Sequence, residues 1–221
     1  MLSNIYLHYV LDLWVEKRLK PSLAGYVELV RYCDDFLLLI QYEDEAVRAH
    51  AMLKDRLAKF GLTLSQEKTR RIEFGRSSKE DAEKRGEKPA TFNFLGFTHY
   101  VDKQLNGKFK VGRKTRSDKL ANSLKEFGAW LKAVRNQMGI KELWKKIAEK
   151  LRGHFGYYGV SENARSLKSY YRAAISLVYK WVNRRSQRSS MKSNEFNEYL
   201  KRFPLPVPRI HHSFYKTAVA R

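Results

Sequence analysis

The stretch Arg31-Tyr32-Cys33-Asp34-Asp35-Phe36-Leu37-Leu38-Leu39 decides how this chain folds. Residues 26–32 and 36–41 are two runs rich in Val, Leu, Ile and aromatic side chains, broken only by Cys33, Asp34 and Asp35. Such a pattern predicts a β-hairpin with an acidic tip. Two adjacent carboxylates repel unless a cation neutralises them. The pair therefore points to a Mg²⁺ site, since Mg²⁺ is commonly held by one or two carboxylates together with substrate phosphates. The plain alternative is an acidic turn, because Asp suits tight turns for backbone reasons.

Upstream of the hairpin, Leu2, Ile5, Tyr6, Tyr9, Val10, Leu13 and Trp14 recur at helical spacing, so the chain is expected to start inside an amphipathic helix that Pro21 and Gly25 end. Downstream, an acidic first turn from Glu43, then Ala46, Ala49, Leu53, Leu57 and Phe60, with Gly61 at the stop, predicts a helix packed against a sheet. Residues 62–64 and 69–74 are expected to be extended, and the charged stretch 75–89 to be an exposed loop carrying no core. Phe92, Phe94, Phe97 and Tyr100 mark a β-like segment broken by Gly96, and Asn106-Gly107 marks a second hairpin. Beyond Lys114 the texture turns helical. Leu120, Leu124, Phe127, Leu131 and Val134 form one stripe, Leu143, Ile147 and Leu151 begin another, and a third helix spans about 163–185. Pro204, Pro206 and Pro208 then break any further helix.

The chain has 44 Lys and Arg against 23 Asp and Glu, a formal net charge of +21, which favours an anionic partner such as nucleic acid. Its single cysteine, Cys33, excludes an internal disulfide framework and a Cys-based zinc site. The N-terminal residues lack the pattern of an export signal and no segment approaches a membrane span, so a cytoplasmic protein is expected. His211 and His212 lack partner ligands, so no endonuclease site is expected and both are assigned to a flexible tail.

The stretch Arg31–Leu39 resembles the Tyr-x-Asp-Asp box of reverse transcriptases. The likeness extends to Leu2-Ser3-Asn4-Ile5-Tyr6-Leu7 with Asp12, to Gly61-Leu62-Thr63-Leu64 with Glu67-Lys68-Thr69, and to Phe92-Asn93-Phe94-Leu95-Gly96-Phe97, four blocks in the family's order. The C-terminal part resembles the maturase-specific region of group II intron proteins through Trp130, Gly153-His154-Phe155-Gly156-Tyr157-Tyr158, Tyr170-Tyr171-Arg172 and Trp181-Val182-Asn183-Arg184-Arg185.

The resemblance implies roles by position. Asp34 and Asp35 would be catalytic, metal-binding carboxylates, with Tyr32 and Cys33 lining the nucleotide and primer site. Cys33 stands where many relatives have Ala, a small-for-small change. Lys68 would approach the incoming triphosphate, while Phe94, Leu95 and Gly96 would shape a primer grip. Arg152, His154, Tyr157, Tyr158, Arg165, Lys168, Arg172, Lys180, Arg184 and Arg185 combine cations with aromatics in a way that suits structured RNA. Read without the resemblance, Lys68 is a surface lysine, the phenylalanines are core, and each thumb cation is a solvated side chain.

The expected fold is α+β: an incomplete right-hand palm over residues 1–112, a helical thumb and maturase domain over 113–190, and a basic tail over 191–221. The resemblance implies an RNA-directed DNA polymerase and maturase of a group II intron, using Mg²⁺ and acting on intron RNA and an RNA/DNA primer-template. The family's fingers and another palm aspartate would lie upstream of Met1, so the isolated chain is expected not to polymerise DNA without a polypeptide that supplies them. A non-catalytic RNA-binding splicing cofactor and an inactive remnant are the alternatives.

Overall fold

The N-terminal stretch is helical without being one regular α-helix. α1 (Leu2–Leu7) runs into π-helical turns at His8–Asp12 and Val15–Leu19, then a 3-10 turn at Lys20–Ser22. The Leu13 N–H donates to the His8 carbonyl and the Lys20 N–H to the Val15 carbonyl, each five residues back, which is the wider π geometry. The buried stripe is accordingly Val10, Leu11, Val15 and Leu19, whereas Leu2, Ile5, Tyr6 and Tyr9 are exposed. The single apolar face expected from Leu2 to Trp14 is thus half wrong.

This computed structural model describes residues 2–104, 106–185 and 191–214. It is α+β and divides into two compact units, Met1–Glu73 and Phe74–Arg221.

In the first unit, β1 (Val27–Tyr32) and β2 (Asp35–Ile40) form an antiparallel pair with Val27 opposite Ile40 and Tyr32 opposite Asp35. Asp35 therefore belongs to the ladder, and the turn proper is only Cys33-Asp34. α2 (Glu43–Ala58) buries Ala49, Leu53 and Leu57 at four-residue spacing against Val10, Leu11, Val15, Leu19, Leu23 and Val27. Glu45, also buried, accepts the Ala24 and Gly25 N–H groups at 2.6 and 3.1 Å, so its charge is satisfied by backbone donors. Arg56 ties α2 to the first helical stretch through the Val10 carbonyl at 3.0 Å, and Gly61, at φ +68°, turns the chain out of α2. Leu62 and Leu64 pack on this core, but residues 62–64 and 69–74 join no sheet among the described residues.

The second unit begins with a correction. The supposed loop 75–89 contains α3 (Ser78–Lys84), whose Ala82 is buried and whose Ser78 hydroxyl donates to the Gly75 carbonyl. β3 (Thr91–Phe94), β4 (Phe97–Lys103) and β5 (Phe109–Thr115) form a three-stranded antiparallel sheet, with the Asn106-Gly107 turn between β4 and β5. Among the described residues four helices follow: α4 (Ser117–Val134), α5 (Ile140–Tyr158), α6 (Ala164–Val182) and α7 (Ser193–Arg202). Phe127, Leu131, Leu143, Ile147, Leu151, Phe155, Leu167, Ala174 and Val178 fill their common core.

Two expected boundaries move. Residue 112 lies inside the second unit, because Asn163 joins β5 to the start of α6: its Oδ1 accepts the Thr115 N–H at 2.8 Å. The stretch 191–214 is not a flexible tail. Phe196 of α7 and Leu205 are buried in the helical core, and the Trp144 indole donates to the Phe203 carbonyl at 2.9 Å. His211 and His212 both donate backbone N–H groups to the Gly159 carbonyl, at 2.7 and 2.9 Å. Positions 215–221 of the expected tail, and 186–190 at the end of the expected helical domain, lie outside the described residues.

Candidate functional site

Tyr32, Cys33, Asp34 and Asp35 come together at the tip of the β1–β2 hairpin, all exposed. Cys33 has φ +55°, so of the two turn residues the first is left-handed, the arrangement of a II′ hairpin turn. A non-glycine residue there is strained, and the surroundings must hold it. Arg31 does so. Its guanidinium pairs bidentately with Asp12, both contacts at 2.6 Å, and its Nη1 donates to the Cys33 carbonyl at 2.8 Å and to Asn4 Oδ1 at 3.2 Å. The Arg31 hydrogen bonds hold the Asp12 carboxyl below the usual carboxylate range, and His8, 3.3 Å from Asp12, pulls the same way. Nothing in the composition or the apolar pattern singled out Arg31. Its signal was an arginine directly before the box, with an acid, Asp12, in the preceding helical stretch.

The Asp34 and Asp35 carboxylates have no side-chain hydrogen bond or ion pair among the described residues, which leaves their oxygens free for a ligand. No group of three His, Cys, Asp or Glu side chains able to hold a metal occurs among the described residues. Two adjacent carboxylates are hard oxygen donors, of the kind that one or two protein groups contribute to a cation shared with substrate phosphates. Lys68 is exposed in the turn that follows Ser65, where its N–H donates to the Ser65 carbonyl at 3.3 Å; no hydrogen bond joins its ammonium to either carboxylate among the described residues.

Phe94, Leu95 and Gly96 lie in the second unit, at the β3–β4 turn. Leu95 and Gly96 have φ +50° and +79°, as a I′ turn requires. Tyr157 of α5 donates its hydroxyl to the Leu95 carbonyl at 3.1 Å, and a Cβ on Gly96 would stand 3.3 Å from the Tyr158 hydroxyl. The close approach that Gly96 permits here is to the protein's own helix. Phe97, buried, packs edge-on to Tyr158 at 5.4 Å between ring centroids.

On the helices, Arg165, Lys168 and Arg172 lie at three- and four-residue spacing on α6, all exposed and in no ion pair among the described residues. Lys180 and Arg184 sit over the Trp181 ring at 5.4 and 5.3 Å, with Arg135 just past the end of α4, not anticipated from sequence, at 5.3 Å. Arg152 is exposed, and Arg185 is half-buried, donating to the Met138 carbonyl at 2.7 Å. His154 leaves the surface set. It stacks on Tyr170 with centroids 3.4 Å apart, its Nε2 is buried without a partner, and burial pushes its pKa down to about 4. At neutral pH it is uncharged and cannot pair with phosphate.

The carboxylate turn, the bidentate clamp beneath it and the downstream glycine turn all lie between Asn4 and Gly96. Residues 1–99 match the family model for reverse transcriptase (RNA-dependent DNA polymerase). The matched stretch contains Tyr32, Cys33, Asp34, Asp35, Lys68, Phe94, Leu95 and Gly96, and ends inside β4. No curated protein matches the chain. No helix among the described residues is long and apolar enough to cross a membrane.

Proposed function

We propose that this chain carries the carboxylate turn, thumb and RNA-binding face of a group II intron reverse transcriptase and maturase. The carrying observation is the strained, exposed Cys33-Asp34 turn, with Asp35 paired to Tyr32, inside the segment that matches the reverse transcriptase family. Asp34 and Asp35 would hold Mg²⁺ jointly with the phosphates of an incoming nucleotide, and the cation would supply positive charge to offset what develops as a primer hydroxyl bonds to the α-phosphorus and pyrophosphate leaves. Lys68 offsets triphosphate charge or gives a proton to the leaving pyrophosphate. Leu95 and Gly96 shape the turn that grips the primer.

The unpaired cations Arg165, Lys168 and Arg172 favour a second reading, in which the chain assists intron splicing as an RNA-binding maturase without polymerising. Splicing assays separate the two. The polymerase reading expects Mg²⁺-dependent primer extension, once the upstream segment is supplied, that is lost in Asp34→Ala. The cofactor reading expects splicing assistance indifferent to Asp34→Ala and Asp35→Ala, with no extension in any mixture.

A further inference from the structure

The carboxylate turn is built on a strained residue, and strain relaxes unless something over-determines it. Cys33 sits at φ +55° with neither a glycine's freedom nor, at an exposed tip, a packed side chain to hold it. Arg31 is the group that reaches it. The Arg31 guanidinium is withdrawn, with side-chain exposure of 14% against 26% for its partner Asp12, so their fork-to-fork pair is less screened than a surface bridge. One edge of the guanidinium is spent on the two Asp12 oxygens and the other on the Cys33 carbonyl and Asn4 Oδ1. Asn4 in turn turns its amide toward the Cys33 sulfur at 3.9 Å. The peptide that joins Cys33 to Asp34 is therefore tied, through one side chain, to two positions of the N-terminal helical stretch.

We infer that Arg31, clamped by Asp12 and Asn4, is a positioning residue: it fixes the Cys33–Asp34 peptide and with it the direction of the two carboxylates that take the divalent cation. This inference rests on the reading of Asp34 and Asp35 as metal ligands. It makes a prediction opposite to that of electrostatics alone. Removing a cation near two carboxylates should tighten divalent-metal binding by relieving like charge. Removing a positioning group should weaken it, because the oxygens no longer stand where the metal needs them.

The test uses the full chain and Mn²⁺ as the probe, its binding followed by the loss of the free-ion paramagnetic resonance signal, together with hydrogen exchange of the amides in residues 33–36. Thermal melts check that each variant folds. Arg31→Gln is expected to weaken Mn²⁺ binding about tenfold and to raise exchange at the turn but not in α2. Arg31→Lys, which keeps the charge and loses the planar fork, is expected to weaken binding similarly; a purely electrostatic role would leave it unchanged. Unchanged or tighter Mn²⁺ binding in Arg31→Gln, with turn exchange unaltered, overturns the inference. Should the unmodified chain bind no Mn²⁺, the carboxylate reading fails by itself, and faster turn exchange in Arg31→Gln still upholds the positioning role while unaltered exchange removes both.

Discussion

Asn163 and Thr115 are joined by three hydrogen bonds although 48 residues separate them: Asn163 Oδ1 accepts from the Thr115 N–H and hydroxyl at 2.8 and 3.2 Å, and Asn163 Nδ2 donates to Thr115 Oγ1 at 2.8 Å. The Thr115 hydroxyl donates its one hydrogen in the second of these and accepts through a lone pair in the third. The amide also donates to the Tyr158 carbonyl at 2.9 Å, so one fully buried side chain ties the end of β5, the end of α5 and the start of α6 together. Asn163→Ala strands the buried Thr115 N–H. It is expected to cost about 2 kcal/mol, seen as a lower urea midpoint with an unchanged slope.

His154 makes stability depend on pH. Its folded pKa, about 4, lies below its ordinary value of 6.5 because burial penalises the charged form. The unfolded chain therefore binds the proton more readily, and stability contributed by the neutral ring is present above 6.5 and is lost as pH falls toward 4. His99, also depressed by burial and by Arg113, acts in the same direction. The urea midpoint is expected to fall between pH 7 and pH 5, and His154→Phe, which preserves the stack on Tyr170, should flatten most of that fall.

Gly96→Ala is expected to destabilise the second unit by about 1–2 kcal/mol, since φ +79° is costly for any side chain and the new methyl would meet the Tyr158 hydroxyl at 3.3 Å. Equilibrium denaturation reads this directly. Tyr158→Phe on the same background should recover part of the loss by removing the crowding oxygen, while the backbone strain stays.

RNA binding should divide cleanly between surface and core. Replacing Arg165, Lys168 and Arg172 together by Ala is expected to lower affinity for structured RNA at least tenfold and to reduce the slope of log K against log salt by about 2, because each phosphate contact contributes roughly 0.7–0.9. His154→Phe is expected to leave both nearly unchanged, since that ring is already neutral and stacked inside. Filter binding at several salt concentrations measures both.

Much of this architecture is visible in the residues, for physical reasons that differ by element. The β1–β2 hairpin was legible because two runs of strand-forming residues flank a short polar break, and α2 because Ala49, Leu53 and Leu57 keep a strict four-residue period. The first helical stretch misled because π turns change the period, so extrapolating 3.6 residues per turn from Leu2 picks the wrong face. α3 buries only the small Ser78 and Ala82, and seven charged or small residues yield no stripe. α7 was hidden likewise: Phe196, Tyr199 and Leu200 are sparse among polar residues, and their burial depends on a surface made by helices far away in sequence. Of the site, the Asp34-Asp35 pair was evident from residue type and position. The Arg31–Asp12 clamp was not, because an ion pair 19 residues apart leaves no local pattern. His154 looked like a basic surface residue beside two tyrosines until the fold placed it against Tyr170.

The most direct measurement is primer extension on an RNA template with Mg²⁺, performed with this chain alone and with a polypeptide that supplies fingers and a further palm aspartate. The account predicts no extension by the chain alone, extension in the mixture, and its loss when the chain carries Asp34→Ala. Extension in the mixture that survives Asp34→Ala, or no extension in either case alongside tight RNA binding, would contradict the assignment of polymerase chemistry to the Cys33-Asp34-Asp35 turn.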